Sequence, residues 1–266
     1  MAFDNSDYFA DGTPPLRLDP RKSGYPQRVE RHNAKSSNLI HLTEFQGGIF
    51  WIWYANSILY SGVVAILTIL VSAMAGFALA KFAFKGKNVT FFAIVASLMM
   101  PPTVIAIPLF VLEGLLHLRN TYLGVMFPLI VSAFGVYFLR IYISDVVPNE
   151  LIEAGRVDGA SWRTIFFRIV MPVIKPAAIT LFFISFIGTW NNFFLPLVIL
   201  QNSRIFPVTL GLESWLSNMN TAAAQAVGWY PLIITGALVS IVPIMVGFAF
   251  LSKHVASGLV RGSINL

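Results

Sequence analysis

The residues that could do covalent chemistry in this chain are few. There is no cysteine, which removes thiol nucleophiles, disulfides and Cys-based metal sites. The histidines, His32, His41, His117 and His254, are never spaced i, i+3 or i+4 from one another, and no HExxH occurs. The glycine-rich lysine motif that cradles nucleotide phosphates is also missing. Two stretches remain, and both suit recognition more than catalysis. "ELIEAGRVDGASWRTIFFRIVMP", residues 150–172, is amphipathic, charged and punctuated by glycine. "TWNNFF" places two amides, Asn191 and Asn192, between the aromatic rings of Trp190 and Phe193. Buried amides are costly unless they are used, either on a polar ligand or between helices.

The elements that must hold these residues are apolar. Hydrophobic residues make up 56% of the chain and charged residues 11%, with mean hydropathy +0.73. Soluble domains carry roughly 25% charged residues. Crossing a bilayer takes about 20 consecutive apolar residues. Uncharged runs of that order lie at about 54–80, 88–112, 121–139, 177–200 and 231–252. Inside lipid every backbone polar group must be paired within the protein, so these runs predict helices. Pro101, Pro102, Pro108, Pro128, Pro196 and Pro243 fall within them; membrane helices tolerate such residues. The Pro101-Pro102 pair predicts a break or kink, and Glu113 is expected at the outer interface. The fold class is therefore all-α and polytopic, with five predicted transmembrane helices. A large soluble helical domain is excluded, because it would lack polar surface.

The net charge of +6 and pI near 9.7 follow the positive-inside bias and call for no nucleic acid partner. Lys81, Lys85 and Lys87 separate the first two runs. Arg140, Arg156, Arg163, Arg168 and Lys175 lie between the third and fourth, and Lys253 and Arg261 follow the fifth. The alternation places the Lys81 loop, the 140–176 loop and the C-terminal tail 253–266 in the cytoplasm. Trp51, Trp53, Trp229 and Tyr230 then mark the outer interface. Residues 1–53 are expected outside as an extended polar tail, with no signal-peptide apolar core. Within that tail "NLIHLTEFQGGIFWIWY" predicts a short interfacial segment interrupted at Gly47 and Gly48.

In the 150–172 stretch, Pro148 and Asn149 start a helix and Glu150 and Glu153 occupy its first turn, where the dipole favours acids. Leu151, Ala154 and Val157 fall on one face. Asp158-Gly159 predicts a turn. Ser161 caps a second helix, Trp162 to Met171, which Pro172 is expected to end. Physically, the hairpin is an ordinary connection, an interfacial helix on anionic lipid, or a protein-docking helix.

The spacing of Glu153-Ala154, then Asp158-Gly159-Ala160, then Ile169-Val170-Met171-Pro172 resembles the EAA motif of ABC importer permeases. Gly155 stands where that motif has a second alanine, and Met171 where it has leucine. "NTYLGVMFP", "TWNNFFLPL" and "SGLVRGSINL" are similar to the carbohydrate-importer branch, the maltose-type second permease. The resemblance covers most of residues 50–266, within a permease domain of 54–266. It implies the type I importer permease fold, with the family's first helix missing before Tyr54. It implies an ATPase-coupling role for Glu153, Ala154, Gly155, Asp158, Gly159, Ala160, Ile169 and Pro172. Midway along the fourth run, Trp190, Asn191, Asn192 and Phe193 read either as a substrate path, with the amides binding sugar hydroxyls and the rings stacking on a pyranose face, or as polar glue between helices. The resemblance also implies an ATPase contact for the tail through Gly258 and Leu259. The tail itself reads as turn-rich, with Ser257-Gly258 and Arg261-Gly262.

The resemblance further implies partners: a cytoplasmic ABC ATPase dimer, a second, different permease subunit and an extracytoplasmic solute-binding protein, in a bacterial or archaeal cell membrane whose lipid surrounds the chain. No cofactor is expected on this chain; ATP and Mg would sit on the ATPase subunits. The chain is expected to be a transporter subunit for a carbohydrate or related polyol, and not an enzyme. An intramembrane enzyme needs paired acids, a Ser/Lys dyad or a His cluster at depth. A secondary transporter usually needs an ionisable residue at mid-membrane. The uncharged runs supply neither.

Overall fold

The computed structural model describes residues 34–221 and 226–262, with side chains at 38–218 and 230–249. Expectations for residues 1–33 and 263–266 lie outside the described residues. The described residues from Asn38 onward form one compact unit. All regular structure among the described residues is helical. In chain order the helices are α1 (Ala34–Glu44), α2 (Ile49–Lys81), α3 (Lys87–Ser97), α4 (Pro102–Leu115), α5 (Tyr122–Ile130) and α6 (Ala133–Val146). There follow α7 (Asn149–Val157), α8 (Trp162–Ile165), α9 (Met171–Val173), α10 (Lys175–Trp190), α11 (Phe194–Ile199), α12 (Val208–Thr221) and α13 (Ala226–Gly262).

Among the described residues, three stretches are long and apolar enough to cross a membrane: Ile49–Lys81, Tyr122–Val146 and Tyr230–Ala249. Two bent pairs bring the number to five if each counts as one span. α3 and α4 meet at 105°, at the Pro101-Pro102 break that the sequence predicts. The segment from Trp162 to Val173 meets α10 at 80°.

Helix ends follow proline and side-chain capping. Gly47 and Gly48 hold φ of +69° and +77°, which separates α1 from α2 as expected. Thr121 caps α5 and Ser132 caps α6, each accepting from a glycine N–H three residues on (3.1 and 3.0 Å). The expected continuous helix over 177–200 does not form: α10 stops at Trp190 and α11 starts at Phe194. Pro196 explains the break, because its ring excludes the Asn192 carbonyl from the usual helical bond. That carbonyl accepts from Thr209 Oγ1 instead (3.2 Å). Pro172 does not end its helix as expected either. The chain opens into a π turn over Phe166–Val170, passes Pro172 and breaks at Ile174, just before Lys175-Pro176. The C-terminal segment expected to be turn-rich is helical as far as Gly262.

α2 is the strut of the unit. It packs on α5, α6, α10 and α12. Its 33 residues extend about 50 Å, well beyond a hydrocarbon core of about 30 Å. Ser72 and Gly76, four apart on α2, face α6. A β-carbon at Gly76 would lie 2.9 Å from the Arg140 backbone nitrogen, and one at Gly135 would lie 2.5 Å from Ser72 Oγ. Small residues let the two backbones approach closely, which is how helices adhere in lipid.

Gly76→Val should therefore lower stability in detergent by about 1–3 kcal/mol, because backbone cannot move aside as a side chain can. Gly188→Ala, on α10 in open space, should leave stability unchanged or slightly raised. Thermal unfolding midpoints compare the two; equal losses would refute the close-crossing account.

Candidate functional site

The 150–172 stretch folds as a hairpin, α7–turn–α8, whose turn is fully hydrogen-bonded. Gly159 N–H donates to the Arg156 carbonyl (3.0 Å) and Ala160 N–H to the Gly155 carbonyl (2.9 Å). With Gly159 at φ +77°, this is a Schellman ending. Ser161 Oγ then accepts from Thr164 N–H (3.2 Å) and caps the next helix. The Arg156 guanidinium lies 4.7 Å over the Trp162 ring and closes the turn from outside.

The motif residues divide between two faces. Gly155 points inward, and a β-carbon there would meet Ile169 Cδ1 at 3.0 Å. The glycine that replaces the motif's second alanine thus touches the motif's isoleucine. Ile152 is also buried, so the inward residues are Ile152 and Gly155, not the Leu151–Ala154–Val157 row. Glu153, Ala154 and Asp158 are exposed, and Ala160 is half-buried. Leu151 and Val157 are left in the open, Val157 at 87% exposure. Pro172 is exposed. The outward face is therefore apolar at Leu151 and Val157 among Glu150, Glu153 and Arg156.

The hairpin is bonded to the helices behind it. Ile152, Ile165, Phe166, Val170 and Ile174 belong to the same buried cluster as Ala73 and Phe77 of α2, Leu139 and Ile143 of α6, and Leu181 of α10. Phe77 and Phe82 pack on Trp162 and Phe166, with Phe82 and Trp162 edge to face at 4.6 Å. Lys81 Nζ, at the end of α2, donates to the Val147 carbonyl and to Asn149 Oδ1 (2.9 Å). It thereby fixes the residues on which α7 starts. Sequence reasoning saw Lys81 only as a topological charge, and passed over Phe77 and Phe82.

At the opposite end of α2, Trp53, Asn56, Ser57 and Tyr60 present polar groups on one face to residues 203–208. Trp53 Nε1 donates to the Ser203 carbonyl (2.6 Å) and Asn56 Nδ2 to the Arg204 and Phe206 carbonyls (2.8 and 3.0 Å). Tyr60 O–H donates to the Ile205 carbonyl (2.8 Å), and Ser57 Oγ accepts from Val208 N–H (2.7 Å). Asn120 Oδ1 accepts from the N–H groups of Gln201 and Asn202 (3.0 and 2.8 Å). Trp53 is 1% exposed, so its ring packs inside the bundle and is not an open interfacial marker. Tyr230 is 57% exposed; the side chain of Trp229 is outside the described residues.

The Trp190–Phe193 group lies at the α10–α11 break, and its members differ. Trp190 is 2% exposed, stacked on Phe186 (5.8 Å) and edge-on to Tyr54 (5.6 Å), so neither ring face is open in this conformation. Asn192 Oδ1 accepts from Leu195 N–H (3.2 Å) and caps α11. Phe193 is half-buried against the cluster that contains Tyr60, Ile199 and Leu210. Asn191 is exposed at the end of α10. Of the four, its amide is the one open to a ligand. Glu113, expected at an outer interface, is instead 2% exposed beside Gly124, in the first turn of α5. Gly258 and Leu259 fall on α13, and their side chains are outside the described residues.

The described residues thus form a helical membrane bundle with an exposed two-helix hairpin packed against its central strut. Residues 68–259 match the family model described as the binding-protein-dependent transport system inner membrane component. The chain belongs to that family. It is 35% identical over 219 residues to the arabinooligosaccharides transport system permease protein AraQ of Halalkalibacterium halodurans, covering 82% of this chain and 76% of the relative. It is 32% identical over 216 residues to the lactose transport system permease protein LacG of Rhizobium radiobacter, covering 81% and 74%. In fold it is similar to a chain of a bacterial ABC transporter involved in the import of the acidic polysaccharide alginate. That match has a TM-score of 0.70 and 23% identity, over 84% of this chain and 79% of that one. The chain is thus a multi-pass permease subunit of an ABC importer. Its family works with an ATPase and a solute-binding protein, and the chain is not itself an enzyme.

Gly159→Ala and Gly159→Trp should cost about the same, roughly 1–2 kcal/mol. Nothing lies within 4 Å of a β-carbon at Gly159, so the penalty comes from φ and not from bulk. Gly159→Asn should cost less, because asparagine tolerates the left-handed region. Unfolding midpoints of the purified variants rank the three; a much larger loss for tryptophan than for alanine would show that bulk decides.

Proposed function

We propose that this permease subunit conducts a carbohydrate or related polyol, and that its hairpin Asn149–Val157 and Trp162–Ile165 is the coupling element seated on an ATPase subunit. The observation that carries the reading is the division of the motif. Gly155 packs against Ile165 and Ile169 inside the hairpin, and Ile152, Ile165 and Phe166 bury it against α2, α6 and α10, while Glu153, Ala154, Val157 and part of Leu151 stay exposed for a partner. A hairpin held this way moves with α2, α6 and α10 as one body. Closure of the ATPases around ATP and Mg would pull on the hairpin and tilt those helices between inward- and outward-facing arrangements. The positive charges of the Lys81 loop and the 140–176 loop support a cytoplasmic position for both, and for the C-terminal tail.

The carbohydrate reading rests on the similarity to AraQ and LacG, together with the exposed amide of Asn191 at the α10–α11 break. A second, different permease completes the pathway, membrane lipid surrounds the pair, and the tail residues Gly258 and Leu259 reach the ATPases.

Val157→Asp and Leu151→Asp should each weaken retention of the ATPase on affinity purification of the complex by about fivefold or more. The midpoint of unfolding of Val157→Asp should not change, since that side chain is 87% exposed, and Leu151→Asp, at a 41% exposed position, should lose only a little. Undiminished ATPase recovery in both variants would sink the docking reading. For the path, Asn191→Ala should raise the apparent KM for an imported oligosaccharide about twofold to tenfold, the worth of one hydrogen bond. Trp190→Ala should instead lose about 3–5 kcal/mol of stability. An unaltered KM for Asn191→Ala would remove this residue from the path.

A further inference from the structure

We infer that the turn joining α2 to α3 binds the headgroup of an anionic phospholipid. Residues Ala83, Phe84, Gly86, Lys87, Asn88 and Val89 line an open groove of about 410 Å³. Lys87 is part of that lining, exposed Lys85 stands in the same turn between the lining residues Phe84 and Gly86, and Lys81 precedes them on α2. Two of these lysines are already placed, but only against neutral acceptors. Lys87 Nζ donates to the Phe82 and Ala80 carbonyls (3.1 and 3.3 Å), and Lys81 Nζ to the Val147 carbonyl and the Asn149 amide. Glu150 acts on Lys81 electrostatically, yet no carboxylate forms an ion pair with any of the three among the described residues. One turn along α3 from Lys87, the Arg140 guanidinium lies 3.8 Å over the Phe91 ring, and its buried Nε has no acceptor. The result is fixed positive charge with no anion supplied by the protein.

The groove also has an apolar side. Phe84 is 45% exposed and Val89 73%. Phe92, three residues beyond Val89 on the same face of α3, is 68% exposed. A molecule with a phosphate at Lys85 and Lys87 and acyl chains along Val89 and Phe92 satisfies both features at once. Basic pockets at the cytoplasmic ends of membrane helices suit anionic headgroups, while a free phosphate would leave the apolar side bare. The inference rests on the cytoplasmic orientation proposed above. The groove adjoins the coupling hairpin through Phe82, whose ring meets Trp162, so a bound lipid would order the point where α2 holds that hairpin.

The test uses the whole importer in nanodiscs of phosphatidylcholine, titrated with fluorescent phosphatidylglycerol. Lys85→Gln with Lys87→Gln should weaken phosphatidylglycerol binding about fivefold per lysine removed. Lys85→Arg with Lys87→Arg should bind as the parent does, which separates charge from folding damage. Arg204→Gln, on the 203–208 loop, should also bind as the parent. Inorganic phosphate at equal concentration should not compete. Unchanged phosphatidylglycerol binding in the double glutamine variant overturns the inference. So does full competition by inorganic phosphate, which would make the groove a free-anion site. Loss of the ATPase subunits with lipid binding intact also overturns it, in favour of a protein contact. The readout is lipid binding and not transport, so failure here leaves the permease reading untouched.

Discussion

Lipid tails are as apolar as leucine, so helices in a bilayer gain little by hiding hydrophobic surface from it. They adhere through close contact and through polar groups paired inside the protein. α2 meets both conditions at different points along its length. Ser72 and Gly76 bring its backbone against α6 near Gly135 and Arg140. Trp53, Asn56, Ser57 and Tyr60 pair with the backbone of residues 203–208. Lys81 and the Phe77–Phe82 aromatics grip the hairpin at its other end. Any displacement of the hairpin must therefore pass into α2, and α2 is long enough to carry it to the opposite surface.

Breaks in the apolar runs are as informative as the runs. Pro196 frees the Asn192 carbonyl, and Thr209 takes it. Pro172 is absorbed by a π turn before the chain bends 80° into α10. The Pro101-Pro102 pair turns α3 away from α4 by 105°. In each case the chain breaks within a few residues of a proline, and the carbonyl that Pro196 frees is taken by a side chain of α12. The exposed amide of Asn191 arises from such a break: α10 has ended, so its last residues are not buried in a continuous helix.

Much of the site was legible before any coordinates. Glu153, Gly155, Gly159, Ser161 and Ile169 stand at spacings that predict helix, turn and cap, and the helices, turn and cap form. The division of labour among them was not legible. Leu151 and Val157 belong to the apolar row of α7 by periodicity, yet the side that the bundle covers is the one bearing Ile152 and Gly155. A short helix between two bends can present any face, and only its neighbours select one. Trp190 illustrates the same limit: an aromatic beside two amides suits a ligand, but Tyr54 and Phe186 already occupy its ring.

Composition and uncharged run length determined that this is a helical membrane protein. No other secondary structure pairs its own backbone along a single crossing of the hydrocarbon. Glycine, proline and capping residues determined most of the points where helices stop, because those effects act within one turn. Tertiary structure alone decided which apolar residues are core, that Glu113 is buried against Gly124, and that Lys81 anchors the start of α7. Those outcomes depend on partners up to 150 residues away, as in the bond from Trp53 to Ser203. Where a membrane-crossing helix is apolar all round, the sequence pattern carries no mark of which side faces a neighbour and which faces lipid.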